Sequence, residues 1–328
     1  MASAKETHDL VIVGAGPSAL AAAVYTTRED LDTVLFEKGV IGGLAAITDW
    51  VDNYPGFIKG IGGLELAQQL QGQAERFGAD IRLGEVSSIT DEGPLKRLET
   101  TEGTLWAKAV LVATGSDYKK MGIPGEQELY GRGVHYCATC DGAFYRDKKL
   151  VVVGGGNSAV QEALFLLRFA THIDMLVRSE VKASEILQHE LDKRVREGKI
   201  TVHLGVTPNE IVGETNATGL KKVTKVLATK DGHTVAYPTD GVFVFIGLLP
   251  NTGFLKTSAI TLDEFGFVLT DKNLQTNMPG VFCSGDVRSG ATMQIASAVG
   301  EGATAALKIR EFLEMQERNH ITPVSELV

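Results

Sequence analysis

One four-part pattern occurs twice in this chain, and a chain that carries it twice has few folds open to it. Leu10-Val11-Ile12-Val13 is a short, wholly apolar run. The turn Gly14-Ala15-Gly16-Pro17-Ser18-Ala19 follows, then a helical stretch over residues 20–27, then a second apolar run, residues 33–36, closed by the acid Glu37. About 140 residues later the pattern restarts with Leu150-Val151-Val152-Val153 and Gly154-Gly155-Gly156-Asn157-Ser158-Ala159. A helix to about Phe169 and a strand over residues 173–177 complete it. Apolar runs without polar alternation belong to parallel strands covered on both faces. Glycines at such a strand-to-helix turn permit a tight bend and let backbone N–H groups approach a pyrophosphate at the helix N-terminus. An acid at the end of the next strand accepts hydrogen bonds from a ribose. A glycine turn with no ligand remains the plain alternative for either copy. The expected fold is α/β, with two Rossmann-like three-layer ββα nucleotide-binding domains, the second inserted into the first.

The remaining segments set the domain limits. Residues 63–77 read as an amphipathic helix and 81–83 as a strand. Residues 95–101 and 104–107 read as a small antiparallel excursion, and 109–113 as another buried strand ending at Thr114-Gly115. A second excursion spans about 201–237, followed by an apolar strand over 242–246. Gly280-Val281-Phe282-Cys283-Ser284-Gly285-Asp286 is a last strand and turn, before a helix from about Met293 to Phe312. An outer domain of residues 1–116 and 247–320, an inner domain of 117–246 and a loose tail at 321–328 are expected. Residues 117–124 and 241–251 are the candidate hinges.

Charge and cysteine content exclude several classes. The formal net charge of −9 argues against a general nucleic-acid binder. No apolar run is long enough to span a bilayer, and the polar residues 1–8 lack the features of a secretory leader. Three cysteines make no disulfide framework; they fit a reducing, cytoplasmic setting with one reactive pair.

That pair is Cys137-Ala138-Thr139-Cys140, followed by Asp141 and lying just before the second glycine loop. A CxxC spacing brings two sulfurs within disulfide reach. Zinc is the competing reading, but it takes four ligands, and the third cysteine, Cys283, sits in an apolar strand where a small core residue is expected. Asp141 is read as an acid beside the dithiol or as a turn residue before Gly142. His135, two residues before Cys137, is read as an ordinary loop histidine, with tuning of the thiol as the alternative.

With both glycine loops, the CxxC-Asp and the Gly285-Asp286 turn in hand, the chain resembles the low-molecular-weight thioredoxin reductases over nearly its whole length. The disulfide reductases that carry a CxxxxC near the first loop are set aside, because residues 39–51 contain no cysteine. The resemblance implies an FAD- and NADPH-dependent homodimeric flavoenzyme acting on a thioredoxin, with no membrane or nucleic-acid partner and no metal. It implies FAD binding by Gly14, Gly16, Pro17, Ala19, Glu37, Gly43, Asn53, Thr114, Gly115, Asp286 and Gln294. It implies nicotinamide-nucleotide binding by Gly154, Gly156, Asn157, Ser158, Ala159, Arg178 and Lys182. By the same resemblance Cys140 faces the flavin, Cys137 attacks the external disulfide, and Asp141 supplies the proton. The smaller domain is expected to rotate between two states.

The departures from the family pattern concern the donor. The loop after Glu37 reads Gly42-Gly43-Leu44 where the family has Gly-Gly-Gln, and Met293-Gln294 stands for Arg-Gln. Where the family carries His-Arg-Arg and a further Arg, this chain has Val177-Arg178-Ser179-Glu180-Val181-Lys182. Val177 stands at the equivalent of Glu37, so the acid that favours NAD is missing while one Arg remains, which leans toward NADPH. NADH without discrimination, or a non-nicotinamide donor such as a reduced ferredoxin or another flavin, stays open. Some archaeal relatives have a degenerate site of this kind. A dithiol oxidase producing peroxide, and a colourless nucleotide-binding redox sensor, are the rival classes.

Overall fold

The computed structural model describes residues 6–48, 50–51, 53–215 and 219–321, without the side chains of residues 319–321. Residues 1–5, on which part of the leader reading rests, and residues 322–328 of the expected tail lie outside the described residues. The chain divides into two compact units, Met1–Asp117 with Leu249–Val328, and Tyr118–Leu248.

The first unit opens with β1 (Thr7–Val13), α1 (Pro17–Thr27), β2 (Thr33–Glu37), α2 (Gly43–Ala46), α3 (Gly63–Arg76) and β3 (Asp80–Leu83). A meander follows, of β4 (Val86–Glu92), β5 (Leu95–Thr100) and β6 (Gly103–Val112), then the short β7 (Ser116–Tyr118). The second unit holds β8 (Val134–His135), α4 (Ala138–Asp141), a 3-10 turn over Gly142–Tyr145, β9 (Lys149–Val153), α5 (Asn157–Leu166) and β10 (His172–Val177). It continues with α6 (Glu185–Arg196), β11 (Ile200–Leu204), β12 (Val206–Thr215), β13 (Lys221–Lys230), β14 (His233–Pro238) and β15 (Gly241–Val244). After β16 (Leu248–Pro250) the chain closes the first unit with β17 (Val281–Cys283) and α7 (Ile295–Ile321). The crossings β7 and β16 pair as a two-stranded ribbon.

Each unit is built on the repeated pattern. In the first, strands run in the order β3-β2-β1-β6-β5-β4, with β17 also on β6. Residues 10–13 of β1 pair in parallel with both β2 and β6 and are almost fully buried, as an unbroken apolar strand requires. In the second unit β11-β10-β9-β15-β8 is wholly parallel, and β12-β13-β14 form a separate antiparallel sheet. The expected fold of two Rossmann-like ββα domains is therefore present.

Three local expectations need correction. The segments read as separate strands at 104–107 and 109–113 are one strand, β6: β1 runs parallel to it from Trp106 to Val112, while its first half pairs antiparallel with β5 and residues 110–112 pair in parallel with β17. The last helix begins at Ile295 rather than Met293, because Met293 has a left-handed backbone (φ 58°) that no helix accommodates. It also continues past Phe312, through Arg318, to Ile321, so the tail is helical where it is described.

Small residues set how closely α1 meets its neighbours. Pro17 at the first turn has a φ already suited to a helix, and Ala19, Ala21, Ala22 and Ala23 bury the face beyond it. Helix α7 lies against α1 so tightly that a Cβ on Gly302 would sit on the Ser18 carbonyl oxygen, well inside contact distance. We expect Gly302→Val to destabilise the protein by about 1–3 kcal/mol through this overpacking, read from urea unfolding. A variant within about 0.5 kcal/mol of the parent would show that the two helices part freely there.

Candidate functional sites in the two units

The two glycine turns use one geometry. Gly14 (φ +105°) and Gly154 (φ +140°) occupy backbone that L side chains rarely adopt. A Cβ on Gly14 would lie 2.5 Å from the Ala113 carbonyl oxygen, and one on Gly154 would collide with that of Phe245. The second glycines, Gly16 and Gly156, have nothing within 4 Å of a would-be Cβ, so the backbone there is open to a close ligand. The carbonyl between them is held alike in both units, by Gly42 N–H on Ala15 and by Lys182 N–H on Gly155, each at 2.7 Å.

The units differ at the end of their second strands. Glu37 accepts from Ala15 N–H (2.8 Å) through Oε2 and from Gly39 N–H (2.7 Å) through Oε1, which holds its carboxylate at the loop. Val177, its counterpart, packs on the loop instead: a Cβ at Gly155 would lie 2.6 Å from Val177 Cγ1.

In the first unit Gly16, Pro17, Glu37, Gly43, Thr114, Gly115, Asp286 and Gln294 line one cavity of about 320 Å³. Gly14 lines an adjoining cavity of about 450 Å³ that shares Glu37, Lys38, Thr114 and Asn251 with the first. Two expected cofactor residues lie off both linings. Ala19 is fully buried, its methyl packed in the core between α1 and the sheet. Asn53 donates from Nδ2 to Gln294 Oε1 (3.1 Å) and so acts on the site through Gln294. Gln294 precedes α7 and its carbonyl accepts Ala298 N–H (2.9 Å), so it caps the helix rather than riding on it.

Behind the Gly285 turn, Arg288 binds Glu301 through Nη2–Oε1 (2.5 Å) and Nε–Oε2 (3.1 Å), while Gly285 N–H donates to Glu301 Oε2 (2.8 Å). This fork braces the turn that presents Asp286. Among the described residues the Asp286 carboxyl has no hydrogen-bond partner, and burial, with Glu301 nearby, pushes it up to about 6. A half-buried carboxyl that faces the cavity without a protein partner, open backbone at Gly16 and an anchored acid at Glu37 fit the hydroxyls and pyrophosphate of a flavin dinucleotide.

In the second unit Gly154, Gly156, Asn157, Ser158, Ala159, Arg178 and Lys182 all line one cavity of about 650 Å³. Sequence reasoning missed Lys119 and Lys120 on the same lining, because they come from a distant stretch that is joined there by Lys119 N–H donating to the Gly247 carbonyl (3.0 Å); it also passed over Glu180, which lies between Arg178 and Lys182. Glu180 Oε1 is 3.7 Å from Lys182 Nζ.

The dithiol is in this unit. Cys137 caps the single turn α4 and is disulfide-bonded to Cys140, whose N–H donates to Cys137 Sγ (3.1 Å). That N–H stabilises a thiolate at Cys137 once the bond is reduced. Asp141 follows on the same turn. His135 is not in a loop: it lies in β8, buried, with Nδ1 3.1 Å from Asp141 Oδ2. Cys283 is fully buried in β17, and burial pushes its thiol up, away from reactivity.

Two Rossmann-like units, one of them carrying a disulfide ahead of its glycine loop, define a nucleotide-dependent disulfide oxidoreductase. The family model for pyridine nucleotide-disulphide oxidoreductases matches residues 8–302. Thioredoxin reductase of Listeria monocytogenes is 41% identical over 317 residues, 96% of each chain. That of Bacillus subtilis is 40% identical over 313 residues, 95% of this chain and 96% of its own. The crystal structure of thioredoxin reductase from Streptococcus pyogenes superposes with a TM-score of 0.87 at 37% identity, covering 95% of this chain and all of that one. The chain belongs to the pyridine nucleotide-disulphide oxidoreductase family, in its low-molecular-weight thioredoxin reductase class. It is thus a disulfide oxidoreductase of an FAD-binding class.

Asp286 yields a pH test on the flavin-free protein. Its folded carboxyl binds a proton more tightly than the unfolded chain does, so its stabilising contribution is full at low pH and is lost as pH rises through about 6. Asp286→Asn should therefore raise stability at pH 8 by about 2 kcal/mol, a gain that vanishes toward pH 4. Urea unfolding at the two pH values checks this; an equal effect at both would show that the carboxyl is not the source.

Proposed function

We propose that the protein is a thioredoxin reductase that draws electrons from NADPH. The observation that carries this reading is the Cys137–Cys140 disulfide, set one strand ahead of an intact dinucleotide loop in the same unit. Class membership supports the rest: the outer domain, residues 1–116 with 247–320, holds FAD, and residues 117–246 hold the nicotinamide nucleotide. FAD held in the outer domain would supply two-electron transfer between a nicotinamide nucleotide and the disulfide.

The chain's own residues have defined tasks in this scheme. Backbone N–H groups after Gly14 and Gly154 receive the pyrophosphates, with Gly16 and Gly156 leaving room for them. Glu37 orients a ribose, and Asp286 accepts from the hydroxyls of the ribityl chain. Cys140 takes the electrons; Cys137, the sulfur with the backbone donor, attacks the thioredoxin disulfide. Asp141 protonates the departing sulfur. The class also implies a homodimer working in a reducing compartment. Among the described residues no helix is long and apolar enough to cross a membrane.

Arg178 and Lys182 on the cavity lining support NADPH, since a guanidinium grips a phosphate by two parallel hydrogen bonds. Glu180 beside Lys182 favours a second reading, NADH used without discrimination, because a carboxylate there opposes a 2′-phosphate. Steady-state reduction of thioredoxin by the holoenzyme decides between them. NADPH should support turnover at lower KM than NADH, and Arg178→Ala should raise the NADPH KM about tenfold, or ~1.4 kcal/mol, with NADH little changed. Equal KM values before and after the substitution would favour NADH. Turnover with neither nucleotide, but with a reduced ferredoxin, would overturn both.

A further inference from the structure

Next to the dithiol lies a hydrogen-bonded line of three side chains that neither class membership nor the activity accounts for. His135 Nδ1 is 3.1 Å from Asp141 Oδ2, and its Nε2 is 2.6 Å from the Tyr145 hydroxyl. The imidazole is shut in: its side chain is 8% exposed, Phe243 of β15 stacks on its face at 5.1 Å, and Tyr145 packs edge-on at 5.3 Å. Tyr145 itself is pressed against Gly241, where any Cβ would strike its ring, and rests edge-on against Phe243. This packing fixes the ring's orientation, and with it which oxygen of Asp141 is engaged.

Bond polarity assigns the resting protons. An ionised Asp141 is acceptor-only, so Nδ1 donates to it, which leaves Nε2 to accept from the Tyr145 O–H. Burial, with Asp141 and Asp240 nearby, raises Tyr145 further above the usual phenol range, so its proton stays on. Other groups around the ring are accounted for. Asp240, just before β15, is bonded to Lys149 N–H (2.9 Å) and lies 3.8 Å from Lys148 Nζ. Tyr136, next along the chain, donates to Glu126 instead (2.8 Å).

We propose that His135 is the positioning residue for Asp141, holding its carboxyl beside the CxxC and supplying it with the proton for each opening of the disulfide. The inference rests on the proposed proton-donor role of Asp141. An incoming thiolate bonds to one sulfur of Cys137–Cys140, the S–S bond breaks, and the other sulfur leaves with the electron pair. Nε2 first takes a proton from solvent by way of the Tyr145 hydroxyl, the imidazolium so formed passes its Nδ1 proton to the Asp141 carboxylate, and Asp141 gives that proton to the departing sulfur. One proton enters at Nε2 and one leaves through Nδ1, so the ring stays singly protonated; the reverse exchange runs the same path backwards and restores the Nδ1-protonated ring. The exchange itself conserves electrons between thiol and disulfide.

The test uses oxidised holoenzyme and dithiothreitol, so it needs neither nicotinamide nucleotide nor thioredoxin and stands even if the donor and partner assignments fail. Opening of the Cys137–Cys140 bond is followed by rapid alkylation and mass spectrometry between pH 5.5 and 9. Corrected for the reagent's thiolate fraction, the wild-type rate should rise as pH falls from about 8 to about 6, where imidazoles take up a proton. His135→Asn should flatten that rise and slow opening about tenfold at pH 6. Asp141→Asn should do the same, and the double variant should be no slower than either single one. Tyr145→Phe, which keeps the ring and loses only the hydroxyl, should give a smaller loss at the same pH and covers the case of an ill-folded His135 variant. Parallel pH profiles for wild type and His135→Asn, or additive losses in the double variant, would overturn the proposal. A flat wild-type profile would remove its premise, the proton role of Asp141, as well.

Discussion

Everything in both units depends on one close approach: the first glycine of each loop lies against the backbone of the neighbouring strand. Gly14 on Ala113 and Gly154 on Phe245 leave no room for a side chain, and both have positive φ. That bend turns the chain from strand to helix within a few residues. It thereby points the N-terminal N–H groups of α1 and α5 into the two cavities. The apolar strands, the alanines of α1 and the bare face of Gly302 then hold the helix ends in place. An anion site made of backbone donors needs such rigidity, because its donors cannot re-aim as side chains do.

The two copies of the turn have diverged where the ligand differs. In the first, Glu37 is tied to the loop by two backbone donors and stays poised for a ribose. In the second, Val177 fills that place with methyl groups, and the charged residues Arg178, Glu180 and Lys182 lie on the lining beyond it. The cost of keeping a polar site ready shows at Asp286, whose half-buried carboxyl lines the cavity without a protein partner and is braced only indirectly by Arg288 and Glu301. Such a group lowers stability in exchange for ligand affinity, a trade common where proteins bind polar molecules in their interior.

Much of this was legible in the amino-acid order, and the rest has identifiable reasons for being hidden. The glycine loops, Glu37 and the CxxC are local patterns whose chemistry depends on spacing along the chain, so they can be read directly. The continuity of β6 was hidden because exposed Lys108 stands between an alternating first half and an unbroken apolar second half, and the change of partner from β5 to β17 is made only in the fold. The late start of α7 follows from a left-handed Met293, a residue with no special taste for that conformation. His135 looked like a loop histidine because its environment is made by residues on either side in the chain and by β15, more than a hundred residues on. Asn251 and Thr114, which exchange hydrogen bonds at 2.9 and 3.1 Å beside the first cavity, are likewise joined only in the fold.

The account's central claim is that Cys137 carries the electrons out of the protein. It is tested most directly by trapping the exchange partner. Reduced Cys140→Ser holoenzyme, mixed with oxidised thioredoxin, cannot resolve a mixed disulfide from its own second sulfur. The predicted result is a covalent one-to-one adduct whose digest links thioredoxin to Cys137, with Cys283 untouched. An adduct that forms instead through Cys140 in the Cys137→Ser protein, and not through Cys137, would reverse the roles of the two sulfurs. No adduct from either variant would contradict the claim that this dithiol reduces thioredoxin.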